Sequence, residues 1–440
     1  MKALKINAKD ITAIVDNDLC HSCGACANVC HPKVISFEET TAGHLFPKIN
    51  YDNCTACTLC SAVCPGVIFG KTMNHTMKNA LDPFVGNIQS TFVGQSLDNI
   101  LLTNSQSGGT ASAIILNALE NDLIDTAIVA IMDNKENISG DVILAYTKED
   151  ILMSQKSKYI PISLLTALDK IKEKKERFAI VGLACHIHGL HNILDNKPSL
   201  KKYFTFSVGL ICDRVMVRAG MDFLIRKANV QKQDVKNFYF RDKVPYGYPG
   251  YVHIQTKNKN ITLPPEERMQ IKDFFTPARC RICFDKMNIG SDITIGDPHG
   301  IDNVDRTNGE SLIIVRTATG KFFLENSLNI IKIKQTSIKK AINGQGIEAK
   351  KQSWRSYIEH WKDRNMYVPD YYFYLEKKTN FIKRKKEKIH LHNALSLRKY
   401  TNEEKIFEVL IKKQKQQRIL KILKSPLRKL KSIFFYFQNR

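Results

Sequence analysis

Twelve cysteines stand in this chain of 440 residues, and eight of them form two runs of the same spacing. The first is Cys20-x2-Cys23-x2-Cys26-x3-Cys30; the second is Cys54-x2-Cys57-x2-Cys60-x3-Cys64, followed at once by Pro65. Three thiolates on one tight turn can hold three irons of a 4Fe-4S cube, and the fourth cysteine of each run, on a short following helix, reaches the other cube. The spacing predicts one cluster on Cys20, Cys23, Cys26 and Cys64 and another on Cys54, Cys57, Cys60 and Cys30. Small or turn-forming residues, Ser22, Gly24 and Ala25 in one loop and Thr55 and Ala56 in the other, leave backbone N–H groups for the cluster sulfurs. Structural zinc takes paired ligands from each half-site, not a triplet with a distant fourth, so iron is expected.

The doubled run is the bacterial ferredoxin pattern, with one departure: His31-Pro32 follows Cys30 where the second run has its proline directly. Four cysteines remain. Cys185 and Cys212 are expected at the ends of the strands Phe178–Ala184 and Phe204–Cys212, and Cys280 and Cys283 form a C-x2-C. Ligands gather at strand C-terminal ends in open α/β sheets. The four thiols therefore either complete a third 4Fe-4S site or, at Cys185 and Cys212, fill the core as small hydrophobes. His186 and His188 stand beside Cys185, as a proton relay or as hydrogen-bonded neighbours.

These groups need a scaffold. After Gly70 the sequence alternates apolar strands with amphipathic helices, an α/β reading. Further strands are expected at Thr126–Met132, Asp141–Tyr146, Asp292–Gly296 and Ser311–Thr317. Between residues 104 and 119, Ser107-Gly108-Gly109-Thr110 opens a helix carrying Ile114, Leu116 and Leu119. Such a loop offers bare N–H groups and a positive dipole end to a phosphate, although an ordinary capped helix after a turn looks the same. No Gly-x-Gly-x-x-Gly opens a helix after a strand, so direct reduction by NADH is expected to be slow.

The order of these motifs resembles the family of coenzyme F420 hydrogenase/dehydrogenase β subunits. It runs from the two-cluster module through Ser107-Gly108-Gly109, Ser154-Gln-Lys-Ser-Lys-Tyr159, Gly182-Leu-Ala-Cys-His186 and Cys280-Arg-Ile-Cys-Phe-Asp285 to Ser291-Asp-Ile-Thr-Ile-Gly-Asp-Pro298. The resemblance covers roughly residues 15–320. It implies FAD with Ser107, Gly108, Gly109 and Thr110 at its phosphates and Ser154, Lys158 and Tyr159 near the flavin, and a cluster on Cys185, Cys212, Cys280 and Cys283. It also implies an oxidoreductase that passes electrons between ferredoxin-type clusters and an organic two-electron substrate such as a deazaflavin. Relatives of this layout also occur among polysaccharide-biosynthesis proteins. Lys158 and Tyr159 are the candidate hydrogen-bond donors to reduced flavin or substrate, with His186 as proton carrier. The alternative is a protein that relays electrons within a complex without a substrate of its own. Two departures, Gly-Leu-Ala before Cys185 where many relatives have proline and Asp213-Arg214 after Cys212, bear on substrate choice.

The expected organisation is then an α+β ferredoxin-like 4Fe-4S domain (1–75), an α/β flavin-binding catalytic region (80–345) and a C-terminal extension (346–440), aromatic first and then basic and helical. A redox partner such as ferredoxin or a hydrogenase/dehydrogenase subunit is implied; nucleic acid is not, since no binding module is present. The net charge of +23 resides mostly in the tail, where Tyr371 to Arg440 hold 20 Lys and Arg against 5 Glu. Within it Leu420, Leu423, Leu427 and Leu430 alternate with Lys and Arg, a segment that either docks on protein, stays disordered or lies on an anionic membrane surface. With no signal-like start and no uncharged stretch of about 18 residues, a cytoplasmic protein is expected, its tail at the inner membrane face in the membrane-bound case.

Overall fold

The computed structural model describes residues 10–133, 138–244, 246–369 and 381–416. The leucine-bearing basic segment after residue 416 and the tyrosines at 371–374 lie outside them.

In the cysteine-rich N-terminus three short helices, Ile11–Asp16, Ala25–Val29 and Leu59–Ala62, surround a hairpin of β1 (Ile35–Glu39) and β2 (Leu45–Ile49). Asp10 caps the first helix by accepting from the Thr12 N–H. That helix buries Ile11 and Ile14, which join Leu19, Cys26, Cys64, Ile282 and Trp354 in one core. The N-terminal module is thus fused to later parts of the chain by shared packing.

The body contains β3 (Ser90–Ser96), β4 (Thr126–Asp133), β5 (Ser139–Ala145), β6 (Phe178–Gly182), β7 (Phe204–Leu210), β8 (Val235–Asp242), β9 (Tyr251–Thr256), β10 (Asn260–Leu263), β11 (Ile293–Gly296), β12 (Ser311–Val315) and β13 (Ile331–Gln335). Strands β8 to β10 form an antiparallel sheet of their own, and the other eight make one sheet ordered β13-β3-β12-β11-β7-β6-β4-β5. Its middle is parallel: Ile128 faces Ile180, Val181 faces Val208, and Val208 also faces Ile293. Covered on both faces, these strands read as nearly continuous apolar runs, which is why the sequence shows them. The flanking strands, β5 on one side and β12, β3 and β13 on the other, pair antiparallel, so the body is a mixed sheet and not a purely alternating α/β one.

All six expected strands form, with two corrections near the cysteines. The strand at Phe178 stops at Gly182, and Cys185 sits in the first turn of the helix Ala184–Asn196. The strand at Phe204 stops at Leu210, two residues before Cys212. The first stop has a local cause: Leu183 N–H donates to Nδ1 of His186, which closes the helix start. The aromatic extension forms a helix, Ile347–Lys362, with Trp354 and Trp361 fully buried. Among the described residues no helix is long and apolar enough to cross a membrane.

Candidate redox site

Both N-terminal cysteine loops use the same backbone device. Ser22 and Gly24 flank Cys23 with φ of +60° and +92°, and Ala56 and Thr58 flank Cys57 with +50° and +63°. Left-handed residues at matching positions curl each loop round its thiols, at a cost of about 1–3 kcal/mol for each non-glycine, a strain typical of ligand clamps. One N–H is already turned inward, from Ser22 to Sγ of Cys20 at 3.3 Å. Burial pushes the thiols of Cys20, Cys23 and Cys64 up to about 12 and that of Cys26 well up. These four act on one another's charge, as the expected first cluster requires. Thiols held neutral by burial ionise when a metal binds them. Among the described residues no three His, Cys, Asp or Glu converge on a single metal ion, and a cube, with one thiolate per iron, asks for a wider set.

The two loops face different ways. Cys57 is exposed and its thiol is lowered by the Leu59 N–H, whereas Cys23 is buried and its carbonyl accepts from Leu165 N–H at 2.9 Å. The second loop meets solvent and the first meets the body.

The four scattered cysteines come together. Cys185, Cys212, Cys280 and Cys283 line one small cavity, joined there by His21 from the first ferredoxin run. The charges of the other three all reach Cys185, as does that of Cys23. Trp354 fixes the C-x2-C loop by donating Nε1–H to the Ile282 carbonyl at 2.6 Å, and Arg281 donates to Tyr357.

Beside this cavity lies a much larger one of about 940 Å³ at the C-terminal ends of the parallel strands, bounded by Ala130, Gly182, Leu210 and Gly296. That is where ligands bind in sheets of this kind. Gly109, at φ +71°, starts the helix Thr110–Glu120, and Gly109 to Ser112 line the cavity. The Thr110 hydroxyl oxygen is buried there with no hydrogen-bond partner, which fits an anionic ligand on the open helix N-terminus. Gly108 plays another part. Its N–H donates to Ser311 Oγ at 3.0 Å, and a Cβ on it would lie 2.3 Å from the Gly94 carbonyl oxygen. It is a packing glycine, not a lining one. Ser107 lines the cavity and lies 3.1 Å from the same Ser311 hydroxyl.

Ser154, Lys158, Tyr159 and His186 all reach the large cavity, with different commitments. Ser154 Oγ donates to Ile151 O inside its own helix. Lys158 donates to the carbonyls of Ser154, Gln155 and Lys156 at 2.6, 2.8 and 3.0 Å, closing the end of the helix Lys148–Ser154. Burial and neighbouring Lys156 push its ammonium down to about 7. His186 has both ring nitrogens on backbone, Nδ1 accepting from Leu183 and Nε2 at 3.1 Å from Ile162 O, and burial lowers it to about 4. Its neighbour His188 meets buried Asp285 at 2.8 Å. Tyr159 keeps a polar role: Arg241 donates to its oxygen at 3.3 Å and to Asp297 at 2.7 Å, and Arg268 lies over its ring. Burial raises the phenol, but Arg241 and Arg268 more than offset it and leave it below its ordinary value.

Arg241, Asp297 and Arg268 line the cavity, and Lys243 holds its loop by donating to Ser107 O at 2.7 Å. Only Asp297 gave a sequence signal, at the end of a predicted strand. The others come from β8, from the turn after it and from the helix Pro265–Phe275.

Fold and site together define an iron–sulfur redox protein: a two-cluster module on a mixed-sheet body with a ligand cavity at its strand ends. The 4Fe-4S dicluster domain matches residues 19–67, and the coenzyme F420 hydrogenase/dehydrogenase β subunit matches with its N-terminal part over 91–169 and its C-terminal part over 175–341. The chain belongs to that family of β subunits. It is 27% identical over 327 residues to a component of the F420H2 dehydrogenase of Methanosarcina mazei, covering 72% of this chain and 84% of that one. It is 26% identical over 385 residues to the coenzyme F420-dependent sulfite reductase of Methanocaldococcus jannaschii, covering 82% of this chain and 54% of the reductase. A chain of the F420-reducing [NiFe] hydrogenase complex from Methanosarcina barkeri shares the fold at TM-score 0.52 and 20% identity, over 66% of this chain and 99% of that one.

Proposed function

We propose that this chain is an iron–sulfur flavoprotein oxidoreductase with three clusters in line and an FAD cavity at their end. The observation that carries the reading is Cys212, which lines both the four-cysteine cavity and the 940 Å³ cavity. Cys57, at the surface, marks the entry side for a one-electron partner protein. The half-buried Cys20 and the buried Cys23, Cys26 and Cys64 come next, and the charge of Cys23 reaches Cys185. FAD bound in the large cavity would supply the junction between one-electron and two-electron chemistry. Thr110, Ala111 and Ser112 would take its diphosphate on free N–H groups, and Lys158 would hold the loop that follows Ser154 against it. Tyr159, steadied by Arg241 and Asp297, would donate to a ring or substrate oxygen. The wall from Tyr246, Tyr251, Arg268 and Met269 remains for an organic acceptor or donor. Two relatives are named for coenzyme F420, which makes a deazaflavin the first substrate to try.

A relay protein without its own substrate would give that wall no task, so the enzyme reading stands ahead. Protein prepared anaerobically is expected to hold about 12 iron and one FAD per chain. Cys280→Ser with Cys283→Ser should lower iron to about eight and spare the ferredoxin pair. Native protein with about eight iron rejects the third cluster, and protein without flavin after reconstitution turns the assignment to the relay.

A further inference from the structure

We propose that Arg279 is a charge shared by the first ferredoxin cluster and the Cys185–Cys212–Cys280–Cys283 site, placed so that both accept an electron more readily and the step between them stays nearly level. The inference rests on the reading that these four cysteines hold a cluster.

Arg279 is 2% exposed on the short helix Ala278–Arg281, directly before Cys280. Its Nη2 donates to the carbonyl of Pro65 at 3.3 Å, and Pro65 directly follows Cys64. One guanidinium therefore joins two ligand sets that lie more than 200 residues apart in sequence. Its charge is felt at Cys64 on one side and at Cys280 and Cys283 on the other. A second contact brings the same two sets together. Gly189 lies one helical turn beyond Cys185 on the same face, and a Cβ on it would sit 3.5 Å from Sγ of Cys23. The first cluster and the third site are back to back, with Arg279 at the seam.

A guanidinium keeps its proton at every working pH, so this is a fixed charge and not a switch. Thiolate-held clusters on both sides would lie within reach of this charge. Each cluster becomes more negative by one charge when reduced, and a nearby buried cation favours that form, since net charge and burial set cluster potentials. The step itself makes and breaks no bond: one electron leaves the reduced first cluster and reaches the third site, having come from the one-electron partner. If the cation favoured only one side, that side would trap the electron. Its placement between the two avoids this.

The test is redox titration of the anaerobically prepared full chain, followed by electron paramagnetic resonance, for wild type, Arg279→Gln and Arg279→Lys. At a fixed ambient potential the glutamine variant should lower the reduced-to-oxidised ratio of the first cluster and of the third site about tenfold, equivalent to ~59 mV for a one-electron couple. The second ferredoxin cluster should not move. Lysine, which keeps the charge, should leave both ratios within about threefold of wild type. Unmoved ratios in the glutamine variant, an equal shift in all three clusters, or a tenfold fall with lysine would each overturn the role of Arg279. The lysine arm stands even if the glutamine variant fails to assemble. Wild type with about eight iron overturns the third site and the shared role together, whereas 12 iron with unmoved ratios overturns Arg279 alone.

Discussion

Trp354 donates its indole N–H to the carbonyl of Ile282, which lies between Cys280 and Cys283 in the chain. A residue from the helix Ile347–Lys362 of the C-terminal extension thus holds the loop carrying two of the four cysteines of the candidate third site. Trp354→Phe keeps most of the buried area and removes the bond, at a cost of about 1–3 kcal/mol. The expected result is lower iron occupancy at the third site alone, read as a weaker third signal in electron paramagnetic resonance with the ferredoxin pair intact. Equal loss of all clusters would make Trp354 a general core residue.

The two glycines of the cavity loop should respond differently. Gly109→Asp places a side chain at φ +71° and a carboxylate at the open helix N-terminus; flavin retention should be lost in a folded protein. Gly109→Ala adds the strain without the charge, about 1–2 kcal/mol, and should keep part of the flavin. Gly108→Ala sets its Cβ against the Gly94 carbonyl and should destabilise the whole body by on the order of 3 kcal/mol. Thermal melts and flavin release after denaturation separate the three.

That contrast shows where the sequence was legible and where it was not. The doubled Cys-x2-Cys-x2-Cys-x3-Cys run carries its chemistry in spacing alone, and strands such as Phe178–Gly182 announce themselves because burial on both faces leaves no polar positions. Nothing local distinguishes Gly108 from Gly109: one packs on β3 and β12, strands more than 200 residues apart, and the other lines a cavity. The edge strand Ile331–Gln335, with its Ile-Lys-Ile-Lys alternation, gains its place from the hydrogen bonds of the polar Ser90–Ser96, which itself is held between Ile331–Gln335 and Ser311–Val315. His186 drew notice through Cys185, yet its ring is spent on Leu183 and Ile162. Arg241 and Lys243, on or just past a strand in a separate sheet, reach the site only because the chain folds back over it.

Lys243 should give flavin binding a pH dependence. Burial pushes its ammonium down to about 8, while it donates to Ser107 O, Ser105 Oγ and Asn308 O. The folded value lies below the unfolded one of about 10.4, so the unfolded chain binds more protons between these limits. The contribution of Lys243 to fold stability therefore rises as pH rises through this window, and the cost of the buried charge is felt fully below pH 8. Binding of an anionic diphosphate follows the opposite sign, because it gains from the ammonium. Flavin Kd is expected to rise as pH passes 8, and in Lys243→Met to stay flat across the window at the native protein's high-pH value. A flat profile in the native protein would remove Lys243 from flavin binding.

Arg268 should recognise the acceptor and not the cofactor. It projects from the helix Pro265–Phe275 into the large cavity, and its Nε is buried without a hydrogen-bond partner. Burial lowers its guanidinium from the usual range, an unfavourable state that an incoming anion would relieve. The neighbouring wall is aromatic, with the rings of Tyr246 and Tyr251 4.2 Å apart and Tyr246 largely exposed. A planar acceptor with a carboxylate or phosphate on its side chain suits such a surface: the ring lies against the tyrosines and the anion meets Arg268. A charge-assisted hydrogen bond of this kind is worth about 1.5–3 kcal/mol. Arg268→Gln is thus expected to raise KM for an anionic deazaflavin by roughly 10- to 150-fold, with kcat and bound flavin little changed. With a neutral acceptor truncated before its anionic group, native and variant protein should behave alike. If both acceptors lose equally, or if flavin is lost with the arginine, Arg268 serves the cofactor half of the cavity instead.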